Sequence, residues 1–216
     1  MFTGIVEAVG RLERVEARGS GARFAIHTGT LPLDGVQLGD SIAVQGVCLT
    51  VIQLGPAAFS ADVSAETLAC STLGAFRPGV ALNLERAVTP STRLGGHLVS
   101  GHVDGVGTVL SRRPDGDSVR FRFEVPADLA HYIARKGSVT VDGVSLTVNA
   151  VEGVAFDINL VPHTLDVTTL ASLAAGERVN LEVDVVARYL ERLLQAGQGA
   201  GPVISRESLA RAGYIR

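Results

Sequence analysis

Cysteine is scarce: Cys48 and Cys70 are the only two in 216 residues. Both fall in the first half, and no grouping of Cys, His and carboxylates has the spacing of a zinc site. Free thiols in a cytoplasmic protein are therefore expected, not a disulfide framework. No apolar run approaches the roughly 18 residues that a transmembrane helix needs. Met1-Phe2-Thr3-Gly4 lacks the basic and apolar regions of a signal peptide. Positive charge is not in excess either: the net charge of −3 argues against a nucleic-acid surface. There is no phosphate-binding glycine loop, Walker motif or Ser-His-Asp pattern. What remains, 46% hydrophobic and 19% charged residues, describes a soluble globular protein with one large core or two modest ones.

What is present is a repetition. Gly46-Val47-Cys48-Leu49-Thr50-Val51 returns 97 residues later as Gly143-Val144-Ser145-Leu146-Thr147-Val148, with Cys48 replaced by Ser145. At the same displacement Thr3-Gly4-Ile5-Val6 falls on Ser100-Gly101-His102-Val103, and Phe59 on Phe156. Thr67-Leu68 falls on Thr164-Leu165, and Asn83-Leu84-Glu85 on Asn180-Leu181-Glu182. One register held from residue 3 to residue 85 means two copies of one unit followed by a tail. Copies of this size read as two small domains, residues 1–87 and 88–184, and not as a solenoid.

Each copy reads as about six short strands with glycine-rich turns. In the first these are Thr3 to Val15, Arg23 to Thr28, Ser41 to Leu54 (with Gly46 a turn or bulge), Ala58 to Val63 and Ala81 to Arg86. A helical turn is expected within Ser64 to Leu73. The second copy gives Gly101 to Leu110, Val119 to Val125, Val139 to Val151, Ala155 to Leu160 and Arg178 to Asp184, plus a short helix over Asp128 to Arg135. The expected fold class is all-β: two similar six-stranded closed β-barrels in tandem, favoured over a sandwich. Over residues 185–216 the period changes. Val185, Val186, Tyr189, Leu190, Leu193 and Leu194 recur at helical spacing, with Arg188, Glu191 and Arg192 opposite. Such a C-terminal α-helix packs on another subunit or caps its own barrel. Gly197 to Pro202 ends it, and Ser205 caps a final short helix.

Thr50 and Thr147 lie in apolar strands, where a hydroxyl needs a hydrogen bond. Either neighbouring backbone supplies it, or both barrels offer the same hydroxyl to one kind of ligand. Positions where the copies differ mark where a barrel specialises: Cys48 against Ser145, Ile5 against His102, Glu66 against His163, Ala87 against Asp184. His102 suits an acid or base near neutral pH, or makes one backbone bond at a strand edge. Cys48 is either a small apolar residue or a nucleophile. From the residues alone, this is a duplicated β-barrel protein with two related small-molecule pockets.

Several stretches together resemble one family. They are Met1-Phe2-Thr3-Gly4-Ile5-Val6-Glu7, the two repeated phrases, Glu66-Thr67-Leu68, the run from Gly95-Gly96-His97 to Gly105, Lys136-Gly137-Ser138, and Val161-Pro162-His163-Thr164-Leu165. The chain is similar over nearly its whole length to the riboflavin synthases of the trimeric, alpha-subunit type. The resemblance implies two six-stranded barrels, a C-terminal helix joining a homotrimer, and no metal or organic cofactor. It implies a dismutation in which one 6,7-dimethyl-8-ribityllumazine donates four carbons to another, giving riboflavin and 5-amino-6-ribitylaminouracil. The catalytic pair then forms between the N-terminal barrel of one subunit and the C-terminal barrel of its neighbour. Lumazine synthase is an implied partner.

By position, the resemblance assigns one lumazine to Gly4, Ile5, Val6, Cys48, Leu49, Thr50, Asp62, Val63, Ser64, Ala65, Glu66 and Thr67. Its mate falls to Gly101, His102, Val103, Lys136, Ser145, Leu146, Thr147, Asn159, Leu160, Val161, Pro162, His163 and Thr164. His102, Ser145, Thr147 and Asp184 are implied to move protons, with Cys48 and Ser41 near the other ring and Phe2 beside the rings. One departure is Ser64, where many members carry Met. The alternative is a non-catalytic lumazine- or flavin-binding antenna, which tends to lose polar site residues in one barrel. Here Phe2, Cys48, His102, Lys136, Thr147 and Asp184 are all in place.

Overall fold

The computed structural model describes residues 1–198, 209–210 and 213–214. The Ser205 cap and most of the Gly197 to Pro202 break lie outside the described residues. In the first copy the alternating stretches form β1 (Ala8–Arg18), β2 (Gly21–His27), β3 (Ser41–Val44), β4 (Val47–Leu54), β5 (Ala58–Val63) and β6 (Ala81–Arg86), with α1 (Ala65–Cys70) after β5. The strands close into an antiparallel barrel in the order β1-β2-β5-β4-β3-β6. Period-two alternation puts Leu12, Phe24, Ile26, Ile42, Leu49 and Phe59 inside, none more than 4% exposed. Ser41 to Leu54 is a hairpin, not one strand. Gln45 and Gly46 have φ of 49° and 78°, the left-handed pair that a two-residue type I′ turn requires.

The second copy follows element by element. β7 (Gly105–Asp115), β8 (Ser118–Glu124) and β9 (Ser138–Val141) begin and end 97 residues after β1, β2 and β3. The twin of β4 is broken into β10 (Val144–Thr147) and β11 (Ala150–Glu152). β12 (Ala155–Leu160), α2 (Pro162–Asp166) and β13 (Arg178–Val183) complete the copy. The break matches a bulge just after Val51 in β4, so seven strands stand where six were expected, in the order β10-β9-β13-β7-β8-β12-β11. Its two end strands are consecutive in the chain, and Asn149 between them still donates to Asp157 O at 2.8 Å. The first copy is thus a closed barrel, whereas the second, expected to close likewise, is a seven-stranded sheet whose two end strands are linked only by chain continuity. The helix expected over Asp128 to Arg135 is only a 3-10 turn, Ala130–Tyr132, with no side chain capping its first amides.

The two copies interlock. Residues 3–6, expected in the first strand, lie outside it, and the preceding Phe2 makes an isolated antiparallel bridge with Val99. Val99 is the twin of Phe2, so this bridge lies on the pseudo-two-fold axis relating the copies. The opening glycines of the repeated phrases also meet there. A Cβ on Gly46 would stand 2.7 Å from Gly143 N, and one on Gly143 2.8 Å from Gly46 N. Asn83 Nδ2 donates to Asp142 O and Asn180 Nδ2 to Gln45 O, both at 2.9 Å. These reciprocal bonds satisfy buried polar groups across the seam, and both barrels belong to one compact unit, residues 1–185. From Val186 the chain forms a unit of its own, built on α3 (Val185–Gln198). There Tyr189, Leu190, Leu193 and Leu194 are 55% to 69% exposed.

Candidate functional site

The repeated phrases turn their polar residues outward. Along β4, Val47, Leu49 and Val51 point inward while Cys48 and Thr50 face away. Thr50 and Thr147 are exposed, not sunk among their apolar neighbours, so neither hydroxyl needs a backbone partner. Across the hairpins Thr50 pairs with Ser41 and Cys48 with Ala43. In the second copy Thr147 pairs with Ser138 and Ser145 with Thr140. Each barrel therefore offers an outer wall with a hydroxyl pair and, nearer the turn, a residue that differs between copies. Leu49, Val63, Leu146 and Leu160 are at most 8% exposed and belong to the cores, so these four offer only backbone to a ligand on that wall.

The expected grouping of contact residues is crossed in the structure. Ser145 N–H donates to Gly4 O at 2.7 Å, and Cys48 N–H to Gly101 O at 2.8 Å. Gly4 and Gly101 have φ of 74° and 78°. A Cβ there would lie 2.6 Å from Ser145 Cβ and 2.7 Å from Cys48 Cβ respectively, so both approaches require glycine. Val6 packs on the second core and Val103 on the first. Gly4, Ile5 and Val6 thus stand with the Ser145 wall, and Gly101, His102 and Val103 with the Cys48 wall. Each segment reaches the opposite barrel at the Phe2–Val99 bridge before its own barrel begins. Buried carboxylates hold both in place. Glu85 accepts from Thr3 N, Thr3 Oγ1 and Gly4 N at 2.6–3.0 Å. Glu182 accepts from Ser100 N, Ser100 Oγ and Gly101 N at 2.6–2.9 Å. Burial pushes both carboxyls above the usual range, against the pull of these donors.

The walls differ in chemistry. Cys48 and Ala87 pack against buried Phe2, Ala43 and Val99; Phe2, only 1% exposed, backs this wall. On the other wall the twins of Ala43 and Ala87 are Thr140 and Asp184, and His97 is added. His97 Nδ1 lies 2.7 Å from Ser145 Oγ, and Nε2 3.3 Å from Thr140 Oγ1. Burial lowers the His97 pKa and the nearby Asp184 carboxylate partly offsets it. A neutral ring protonated on Nε2 accepts from Ser145 and donates to Thr140. His102, by contrast, is exposed, and its backbone N–H donates to Ser100 Oγ at 3.2 Å. His97 is absent from the residues expected above because no residue stands 97 positions before it. Its one signal was its place in the Gly95 to Gly105 run.

The segments after β5 and β12 complete the walls. Ser64 Oγ accepts from Thr67 N–H at 3.0 Å, so the serine found in place of methionine caps α1. In the second copy Val161 offers no such cap, and Pro162 opens α2 instead. Asp62 is engaged by Arg23 at 2.7 and 2.9 Å, which holds its carboxyl below the usual range. Ala65, Glu66, Asn159, Val161, Pro162 and His163 are exposed, and Thr67 and Thr164 half-buried. Ser41, Ile5 and Ala87 also line a cleft of about 680 Å³ with Asp40, Glu85 and Arg86.

Lys136 is exposed and left-handed, at φ 69°, where its twin Gly39 has φ 93°. Holding a lysine there costs roughly 1 kcal/mol. Lys136→Gly is expected to raise stability by about 0.5–1 kcal/mol in urea melts while weakening substrate binding severalfold in KM. An unchanged KM would remove Lys136 from the site.

A lumazine binding domain matches the chain twice, over residues 3–87 and 100–184. A riboflavin synthase of Photobacterium phosphoreum is 46% identical over 217 residues, spanning 100% of both chains. A riboflavin synthase of Mycobacterium bovis is 50% identical over 200 residues, 91% of this chain and 99% of that one. Among solved structures, the crystal structure of LumP complexed with riboflavin is similar with a TM-score of 0.76 at 27% identity, covering 85% of this chain and 99% of that one.

Proposed function

Because the chain belongs to the riboflavin synthase family and carries its lumazine binding domain twice, we propose that it dismutates 6,7-dimethyl-8-ribityllumazine. One molecule gives up a four-carbon unit and the other gains it, leaving 5-amino-6-ribitylaminouracil and riboflavin. The observation that carries this reading is the pair of outer walls of one design, Cys48 among apolar neighbours on one, Ser145 with His97 and Thr140 on the other. A reaction in which one compound is both donor and acceptor needs two equivalent pockets, differently equipped. The hydroxyls of Ser41, Thr50, Ser138 and Thr147, with exposed backbone, hold the pyrimidine carbonyls and ribityl chains.

The 7-methyl group of a lumazine is acidic because its anion spreads over the heterocycle. The protein's task is then to juxtapose two rings and to move protons. In this scheme Ser145, with His97 behind it, serves one ring together with Thr147 and Asp184, while His102, Cys48 and Ser41 serve the other. Purified protein given the lumazine alone should develop yellow-green flavin fluorescence. Stoichiometric binding without turnover would instead favour the antenna reading.

Residues 1–87 and 88–184 act as the two lumazine-binding units, in a cytoplasmic trimer whose catalytic pairs form between neighbouring subunits. Association with lumazine synthase belongs to the same reading. The exposed Tyr189, Leu190, Leu193 and Leu194 of α3 suit the trimer contact. No helix among the described residues is long and apolar enough to cross a membrane. Truncation before Tyr189 is expected to yield monomers in sedimentation and to lower turnover with them. A trimer that stays active without α3 refutes that role.

A further inference from the structure

The dipeptide Thr3-Gly4 stands between a buried carboxylate of one barrel and two polar residues at the wall of the other. On one side its N–H groups and the Thr3 hydroxyl donate to Glu85 of β6. Thr3 N and Oγ1 lie 2.6 and 2.8 Å from Oε1, and Gly4 N lies 3.0 Å from Oε2. On the other side its two carbonyls accept. Thr3 O takes the His97 N–H at 3.1 Å, and Gly4 O takes the Ser145 N–H at 2.7 Å. The same short segment thus fixes the backbones of both residues whose side chains meet at 2.7 Å. The packing leaves no slack. A Cβ on Gly96 would lie 2.2 Å from Thr3 O and 2.7 Å from Ser145 Cβ.

The twin arrangement has only half of this. Glu182 of β13 takes Ser100 and Gly101 in the same way, and Gly101 O accepts from Cys48 N–H at 2.8 Å. The 97-residue displacement carries His97 onto Leu194 in α3, so the Cys48 wall has no histidine in that place. One buried carboxylate reaches a hydroxyl–imidazole pair, and its twin does not.

We infer that Glu85, a residue of the first barrel, is a positioning residue for the Ser145–His97 pair of the second, acting through Thr3-Gly4. Both of its oxygens are needed. A carboxylate has acceptor sites for all three donors, whereas glutamine offers one oxygen and turns an NH2 group toward the remaining N–H. That mismatch displaces Gly4 or Thr3, and with them the partners of Ser145 and His97. The catalytic consequence rests on the dismutation proposed above; the placement of the pair does not.

The test compares Glu85→Gln with Glu182→Gln, the same change at twins that are 5% and 4% exposed. In ligand-free protein, Glu85→Gln should move the ring nitrogen resonances of His97, assigned by their loss in His97→Gln, and Glu182→Gln should leave them in place. Glu85→Gln should also lower kcat at least tenfold, since misplacing a reacting group by about 1 Å can cost on the order of 100-fold. Added to Ser145→Ala it should cost no more than about a further twofold, because the pair is already lost. Should Glu85→Gln fail to fold, Thr3→Val removes the hydroxyl alone and should move the same resonances, while Thr3→Ser leaves them at parent values. His97 resonances that hold in Glu85→Gln or Thr3→Val, or that move alike in both glutamine variants, overturn this inference. An unchanged kcat in Glu85→Gln overturns it too. If the resonances move as expected but the parent never turns over the lumazine, the placement by Glu85 stands and only the proposed function falls.

Discussion

His97→Gln is expected to lower turnover of the lumazine about 100-fold, the low end of what one positioned acid–base group contributes. The ring lies 2.7 Å from Ser145 Oγ, and in the proposed scheme it accepts that hydroxyl's proton. Burial keeps the ring neutral below the ordinary histidine range, so the parent rate should hold below pH 6.5 and fall only as the ring protonates at more acid pH. In His97→Gln that acid limb should be gone, leaving a low rate that is flat across the same range. Ser145→Ala should cost a similar factor, and the double variant no more than the worse single, because groups acting as a unit are not additive. A surviving acid limb in His97→Gln, or additive losses, would show that His97 only packs beside the serine. Thr140→Ala should fall between, since its contact with Nε2 is the longer one at 3.3 Å.

Asp142→Asn is expected to be more stable than the parent at pH 8 by about 4 kcal/mol, and no different near pH 3. Burial in the seam, opposed by the Asn180 N–H and aided by the nearby Glu177 charge, pushes this carboxyl up to about 7. The unfolded chain loses the same proton near 3.8. Between those values the folded state holds a proton that the unfolded state has released, so stability falls as pH rises through that window and stays low above it. At roughly 1.4 kcal/mol for each tenfold change, the interval amounts to about 4 kcal/mol. Asparagine tolerates the left-handed φ of 48° at this position, and the twin, Gln45, is already an amide. Urea midpoints measured against pH decide the matter. The parent should lose stability from pH 4 to 7, while the variant keeps only the smaller slope that Glu85 and Glu182, raised in the same direction, contribute. Equal slopes in both proteins would place the titrating group elsewhere.

Some of this site was legible in the chain and some was not, for reasons that differ residue by residue. Cys48 against Ser145 and Ala87 against Asp184 were visible as differences between copies, because a gap-free displacement sets each residue beside its twin. His97 was invisible to that comparison for want of a twin. Ser64 stood out only as a departure, and its role as the α1 cap needed the backbone geometry that brings Thr67 N–H to its hydroxyl. Thr50 and Thr147 were left between two readings, a backbone partner or a hydroxyl offered outward, because an apolar strand sequence does not say which face of a barrel is wet. The alternation is the same either way, and only closure of the sheet assigns its inner side. The break in the second copy between β10 and β11 is not written in any residue type that marks a strand end.

By itself the sequence determined the duplication, the barrel class and the residue types on each wall. An invariant displacement and a period-two alternation are properties of the chain alone. Tertiary structure decided which edge segment stands beside which wall. Exchanging Gly4 and Gly101 between barrels leaves every register in the sequence unchanged, so no pattern distinguishes the two arrangements. The choice is made in space, by the Phe2–Val99 bridge on the axis and by the carboxylates of Glu85 and Glu182 that clamp each crossing segment.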